Sequence, residues 1–315
     1  MSHWPSHQRG LGWLTHRLQR ALAVLLLICA PTAGAGEFGK GLFWRIDPPS
    51  GAPASHVFGT VHVDDARALK LAPAVRETLG KSRLLALELV TDTASAEAFA
   101  AAAQLPETRT LSQTMPAADY ARVEELLRNR YGIPPYVVER MAPWSAYVTL
   151  NLPGPRMGLT VDELLHRIAL KQGKPVEGLE TVQAQIAAMQ AIPESQQVTL
   201  LVAAARQHDR VVEMARELIE RYLQEDLDAI LGLQDPFDDT LPAEVQAAQN
   251  ALVESVLFGR NPAMAERAAQ LADAGNAFMA VGALHLYGPR GLLAELQKRG
   301  YRITRVPLSS HSPGP

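Results

Sequence analysis

The sequence predicts an α/β protein whose central sheet is built from two βαβ units, each carrying a Gly-x-x-His motif, with a large helical insertion between them. Two phrases at opposite ends of the chain carry this expectation: Val57-Phe58-Gly59-Thr60-Val61-His62 and Met279-Ala280-Val281-Gly282-Ala283-Leu284-His285. In each, a β-prone apolar run holds a glycine and delivers a histidine three residues later, where polar or turn residues begin. The segments that follow are also alike. After His62 come a helical stretch (Ala66 to Thr78), a glycine stop at Gly80 and the run Leu84-Leu85-Ala86-Leu87-Glu88-Leu89. After His285 come a helix opened by Pro289 (Gly291 to Arg299), a glycine stop at Gly300 and the run Tyr301-Arg302-Ile303-Thr304-Arg305-Val306. Strand, helix with a glycine just past its end, then strand is the pattern of a βαβ unit.

Between these units, over residues 94–274, helical signals dominate. Pro116 to Arg130 places Tyr120, Val123, Leu126 and Leu127 at helical spacing. Thr160 followed by Glu163 is a capping box opening Val161 to Lys171, which Gly173 closes. Asn261 with Pro262 is a start signal for a helix reaching Ala274. One stretch interrupts the helices: Lys174-Pro175-Val176-Glu177-Gly178-Leu179-Glu180 reads as a short strand near 174–179, before a helix from Val182 to Ile192. The core is thus expected at 41–93 and 275–308, with a disordered tail at 309–315.

The chain is long enough, at 315 residues, for a sizeable core, and its apolar fraction of 47% and charged fraction of 20% are those of a globular protein. With 30 basic against 33 acidic residues and no clustered basic face, nucleic acid is not an expected partner. A peptide or small-molecule substrate is expected instead. Arg9, Arg17 and Arg20 precede the apolar run Ala21 to Ala30 and then Pro31-Thr32-Ala33-Gly34-Ala35. That order is a secretory signal peptide over residues 1–35, with cleavage expected after Ala35 and a periplasmic or secreted product. Membrane contact is expected only through this segment if it stays uncleaved, because the apolar run is too short to span a bilayer. Cys29, the only cysteine, lies inside it, and Ile28 stands where a lipoprotein signal wants a small residue. Cleavage would leave a mature chain with no thiol, so His, Asp and Glu must do any chemistry.

The strand-end residues are the candidates. His62 and His285 share the Gly-x-x-His context, in which Gly59 and Gly282 let backbone or ligand approach closely. Glu88 is a carboxylate in an otherwise apolar run, and burying it costs several kcal/mol unless a metal or cation pairs it. In parallel sheets the ligand crevice lies at the carboxyl ends of strands, where His62, Glu88 and His285 are expected to meet. Glu180 ends the third expected strand and reads equally well as helix N-terminal electrostatics. Arg260 could bind a carboxylate or oxyanion, and Asn261 is a good helix cap. No His-Glu-x-x-His, Gly-x-Ser-x-Gly or phosphate-binding glycine loop is present.

Phe58-Gly59-Thr60-Val61-His62, Leu87-Glu88-Leu89, Gly178-Leu179-Glu180-Thr181 with Gln185, Arg260-Asn261, and Val281-Gly282-Ala283-Leu284-His285-Leu286 with Gly288 and Gly291-Leu292 follow in order along the chain. Together they resemble the TraB/PrgY/GumN family, over residues 41–306. The resemblance implies an α/β core with two Gly-x-x-His motifs and an acidic residue, enclosed by a helical insertion. It relates the chain to the Tiki metalloproteases and more distantly to erythromycin esterases and haem-binding ChaN proteins. The expected function is a divalent-metal-dependent hydrolase, most concretely a Tiki-like peptidase. His62 and His285 would be ligands for manganese, cobalt or zinc, and Glu88 or Glu180 a ligand or general base. Two alternatives stay open: a metal-independent esterase-like hydrolase using His and Glu, and a binding protein that sequesters a peptide or haem.

Overall fold

The computed structural model describes residues 37–90, 92–154, 158–233 and 241–308. The expected signal peptide with Cys29, and the expected disordered tail, lie outside them. The described chain is mixed α/β. Six strands form one mixed sheet: β1 (Phe43–Asp47), β2 (Ser55–Thr60), β3 (Leu84–Leu87), β4 (Val176–Gly178), β5 (Ala277–Gly282) and β6 (Arg302–Arg305). Their order across the sheet is β4-β3-β5-β2-β1-β6.

Burial explains the order. Every residue of β3 and β5 is buried, as the unbroken apolar runs Leu84 to Leu87 and Ala277 to Val281 require of strands covered on both faces. These two pair in parallel, and β5 pairs in parallel with β2 on its other side, setting Thr60 beside Gly282. The antiparallel strand β1, which the sequence reading did not anticipate, joins β2 to β6. At the edge, β6 carries Arg302 and Arg305, exposed charges that discourage pairing with another chain.

The two expected units are interleaved in this sheet. β5 lies between β2 and β3, while β2 and β1 lie between β5 and β6, so neither expected unit pairs its own strands directly. Local pattern marks the strands but carries no information about which neighbour each will take. Helix boundaries also moved. The helix before β3 is Pro73–Lys81, opened by Pro73, so Gly80 lies within it instead of ending it. Residues 66–69 form a turn, with Arg67 held by Asp65. Gly300 does sit at positive φ (88°) after the helix Leu292–Lys298. The third expected strand shortens to Val176–Gly178 and pairs with β3.

The capping box forms as read. The Thr160 hydroxyl accepts from the Glu163 amide at 3.3 Å, and the Glu163 carboxylate accepts from the Thr160 amide at 2.9 Å. The helix it opens, Val161–Lys171, packs on β3. Helices Ala117–Tyr131, Pro143–Leu150 and Ala243–Val253 gather around Glu194–Arg206, forming a helical body beside the sheet. A π-helical turn, Glu254–Phe258, ends in Gly259 and Arg260 and gives way to the helix Asn261–Asp273.

His208 opens the helix His208–Leu223 and is almost fully buried, edge-on to Tyr131 with ring centroids 5.9 Å apart. Burial and the nearby Arg130 hold its imidazole below the ordinary 6.5. As pH falls below about 6.5 the unfolded chain binds a proton that folded His208 refuses, so stability present above that pH is lost below it. The urea midpoint should therefore fall between pH 7.5 and pH 5, and His208→Gln should shrink that fall. An equal fall in the variant would remove His208 from the account.

Candidate functional site

The carboxyl ends of β2, β3 and β5 bring three side chains to one place. His62 follows β2 by two residues, Glu88 directly extends β3, and His285 sits in the 3-10 turn Ala283–Leu286 that leaves β5. The Glu88 amide donates to the Ala280 carbonyl at 2.9 Å, continuing the β3–β5 ladder, while its Oε2 accepts from the Gly282 amide at 3.0 Å. His285 Nε2 lies 3.8 Å from that same carboxylate oxygen.

Gly282 is the floor of the site. A Cβ placed there would meet His62 Nε2 at 3.2 Å, Glu88 Oε2 at 3.4 Å and His285 Cδ2 at 3.5 Å. Its backbone (φ −51°, ψ 131°) suits any residue, so glycine is required for space. Gly59 serves differently. A Cβ there would lie 2.9 Å from Leu286 Cδ1 and 3.1 Å from Ala283 Cα, so this glycine lets the turn bearing His285 pack onto β2. The Tyr222 hydroxyl donates to the Gly59 carbonyl at 2.9 Å.

Each histidine is held from behind. His62 Nδ1 lies 2.9 Å from Asp162 Oδ2, and Asp162 Oδ1 accepts from the Thr60 hydroxyl at 2.9 Å. His285 Nδ1 lies 2.6 Å from Asn261 Oδ1, and Asn261 Nδ2 donates to the Arg290 carbonyl at 2.8 Å. Asn261 is thus the first residue of its helix, with Arg260 and not Asn261 at the cap position, and its side chain is turned to the site. Sequence reading missed Asp162. Acids are favoured in the first turn of any helix, so nothing in the sequence singles this carboxylate out.

Behind Glu88 stands a buried ion cluster. Arg260 pairs through Nη2 with Glu88 Oε1 and Glu180 Oε1, donates through Nε to Glu180 Oε2 at 3.0 Å, and donates through Nη1 to the Val256 carbonyl at 2.9 Å. Gln185 Nε2 reaches Glu180 Oε1 at 2.7 Å and Glu88 Oε1 at 3.2 Å. Glu180 therefore joins the site through Arg260, behind the histidines. Burial alone would raise the Glu88 carboxyl, but the Arg260 guanidinium, with smaller contributions from the His285 and His62 rings and the Gly282 amide, outweighs it and keeps the group ionised far below the usual carboxylate range. Burial raises Glu180, which Arg260 offsets only in part. Burial lowers His285 to about 3, leaving it a neutral imidazole at any ordinary pH.

Among the described residues no group of three or more His, Cys, Asp or Glu side chains is placed to hold a metal ion as it stands. The donor types nevertheless suit a divalent ion: His62 Nε2, the edge of the His285 ring and an ionised carboxylate border one cradle that a Cβ would fill, with His285 Nε2 3.8 Å from that carboxylate. Were an ion to bind here, His62, His285 and Glu88 are the residues that would hold it. Removing Arg260 would leave two buried carboxylates facing each other. Arg260→Leu should cost about 3–5 kcal/mol, read as a lowered urea midpoint. An unfolding free energy within about 0.5 kcal/mol of the parent's, the range of ordinary surface changes, would show the cluster to be dispensable.

A family model described as the TraB/PrgY/gumN family matches residues 42–305, spanning the six strands and both Gly-x-x-His phrases. A relative named "Metalloprotease TIKI homolog", from Amphimedon queenslandica, is 23% identical over 325 aligned positions, covering 86% of this chain. The alignment takes in only 62% of that relative's own length. No solved structure matches. With the family's model covering the sheet, the insertion and every residue of the site, the chain belongs to the TraB/PrgY/gumN family.

Proposed function

We propose that this chain is a Tiki-like hydrolase that cleaves peptides with a divalent metal held by His62, His285 and Glu88. The observation that carries the reading is the meeting of His62 Nε2 and Glu88 Oε2, with the His285 ring, within 3.5 Å of the point a Cβ on Gly282 would take. The relative named as a metalloprotease homolog supports the same class of chemistry. Secretion belongs to the reading as well: we propose that residues 1–35 direct export and are removed after Ala35, which N-terminal sequencing of the periplasmic protein tests.

When bound, the ion supplies Lewis acidity and a water activated near neutral pH. The chain's own residues do the rest. His285, neutral at any ordinary pH, offers a lone pair without competition from a proton. Arg260 keeps Glu88 ionised, and Glu180 shares that guanidinium, so the cluster does not collapse onto one carboxylate. Asp162 orients His62, and Gly282 keeps the floor clear.

A second reading has its own observation. Both Glu88 oxygens are engaged, Oε1 by Arg260 and Gln185 and Oε2 by the Gly282 amide. In that reading the site works without metal, and His62, backed by Asp162, is the general base of an esterase-like hydrolase. Chelation separates the two. Purified mature protein should carry a divalent ion, cleave members of a peptide library, lose that activity to a chelator and regain it with manganese, cobalt or zinc. Activity that survives complete metal removal would transfer the site to the second reading. A chain that turns over neither peptides nor esters would end both.

Gly282→Ala tests the cradle itself. The backbone there accepts alanine, so the variant should fold with an unchanged circular dichroism spectrum. The added methyl should abolish metal uptake and reduce turnover by at least about 100-fold, the scale of a displaced catalytic group. A folded Gly282→Ala protein with parental metal content would place the ligand elsewhere.

A further inference from the structure

The partners of the two Nδ1 atoms come from unrelated elements, yet they agree in chemistry. Asp162 stands in the first turn of Val161–Lys171, while Asn261 opens the helix that follows the π-helical turn. Asp162 Oδ2 is buried, has no hydrogen bond of good geometry among the described residues and lies 2.9 Å from His62 Nδ1; an ionised carboxylate can only accept, so a hydrogen bond closed across that contact puts the proton on the imidazole. Asn261 presents an amide whose orientation a second contact fixes. The Arg290 carbonyl can only accept, so the Asn261 nitrogen faces it at 2.8 Å and the oxygen is left for His285 Nδ1 at 2.6 Å. That nitrogen, too, must donate.

We propose that Asp162 and Asn261 are positioning residues that hold both imidazoles as the Nδ1–H tautomer, turning both Nε2 lone pairs toward the cradle over Gly282. Ring nitrogens that ligate a metal are oriented in this way, by a hydrogen bond to the opposite nitrogen. The metal consequence rests on the function proposed above; the tautomers themselves do not. Thr60 gives the arrangement its direction, because its hydroxyl donates to Asp162 Oδ1 at 2.9 Å and leaves Oδ2 to face His62.

Asp162→Leu tests this by removing the acceptor altogether. An asparagine there would not, because the Thr60 hydroxyl accepts as well as donates and lets the amide turn its oxygen to the ring. Without an acceptor the proton is no longer held on Nδ1 and moves to Nε2, capping the atom that faces the cradle. The helix cap belongs to Thr160 and Glu163, so folding should persist. Asn261→Asp, by contrast, keeps an acceptor facing His285 and should preserve its tautomer.

The experiment is long-range proton–nitrogen correlation NMR on metal-free protein labelled with nitrogen-15 histidine, at neutral pH, paired with Co2+ titration and circular dichroism. The parent should show both His62 and His285 protonated on Nδ1. Asp162→Leu should invert His62 alone and weaken Co2+ binding about 10–100-fold, the usual range for lost support of a metal ligand, while Asn261→Asp leaves His285 unchanged. An Nε2–H tautomer at either histidine of the parent overturns the proposal even if no variant folds. So does an Asp162→Leu protein in which His62 keeps its Nδ1 proton. If the parent shows both Nδ1–H tautomers but takes up no Co2+, the metal reading fails and the positioning roles stand.

Discussion

The buried Arg260 guanidinium is the constraint on which the site depends. It links Glu88 at the end of β3 to Glu180 after β4, and its own backbone lies where the π-helical turn meets the helix Asn261–Asp273. A buried carboxylate left alone would take up a proton, and Glu88 would then be neither an anion nor a fixed acceptor for the Gly282 amide. Arg260 keeps it charged at the cost of desolvating its own cation, and the second carboxylate with the Val256 carbonyl meets that cost. The next residue, Asn261, turns to His285. One break in helical geometry therefore supplies the partners of two of the three converging groups. Helices that carry a π turn often do so at functional positions.

The sheet explains why the site stands where it does. β5 is fully buried between β3 and β2, so the three parallel strands deliver Glu88, the His285 turn and His62 to the same end. Because Thr60 and Gly282 are register partners, the two Gly-x-x-His phrases start from neighbouring strands. The helical insertion then closes the site from behind by supplying Asp162, Glu180, Gln185 and Arg260. Fold and site are not separable here: moving the insertion would disturb His62 and Glu88 together.

Some of this was legible in the residues, for reasons that differ by position. His62, His285 and Glu88 break the pattern of apolar runs, and a polar side chain where a buried strand ends needs a partner. Gly282 was read as a place of close approach, and the three side chains around its absent Cβ give that reading its content. Asp162 stayed hidden because a local role was enough to account for it, and Asn261 read as a cap because Asn-Pro is a helix start. Strand order was not legible. Pairing β5 between β2 and β3 is a long-range choice, set by which strands can be covered on both faces. β1 was missed because Phe43 and Trp44 are buried side by side, which obscures alternation.

The central claim is that residues from three strands converge on one ligand point above Gly282. Crystals of the mature protein soaked in Co2+ or Zn2+ and measured at the absorption edge of the metal test it directly. The account predicts one strong anomalous peak about 2.0–2.2 Å from His62 Nε2, His285 Nε2 and a Glu88 oxygen, the usual range for imidazole and carboxylate ligands. A strong peak elsewhere, or none at this point in a soak that loads the crystal, would contradict it.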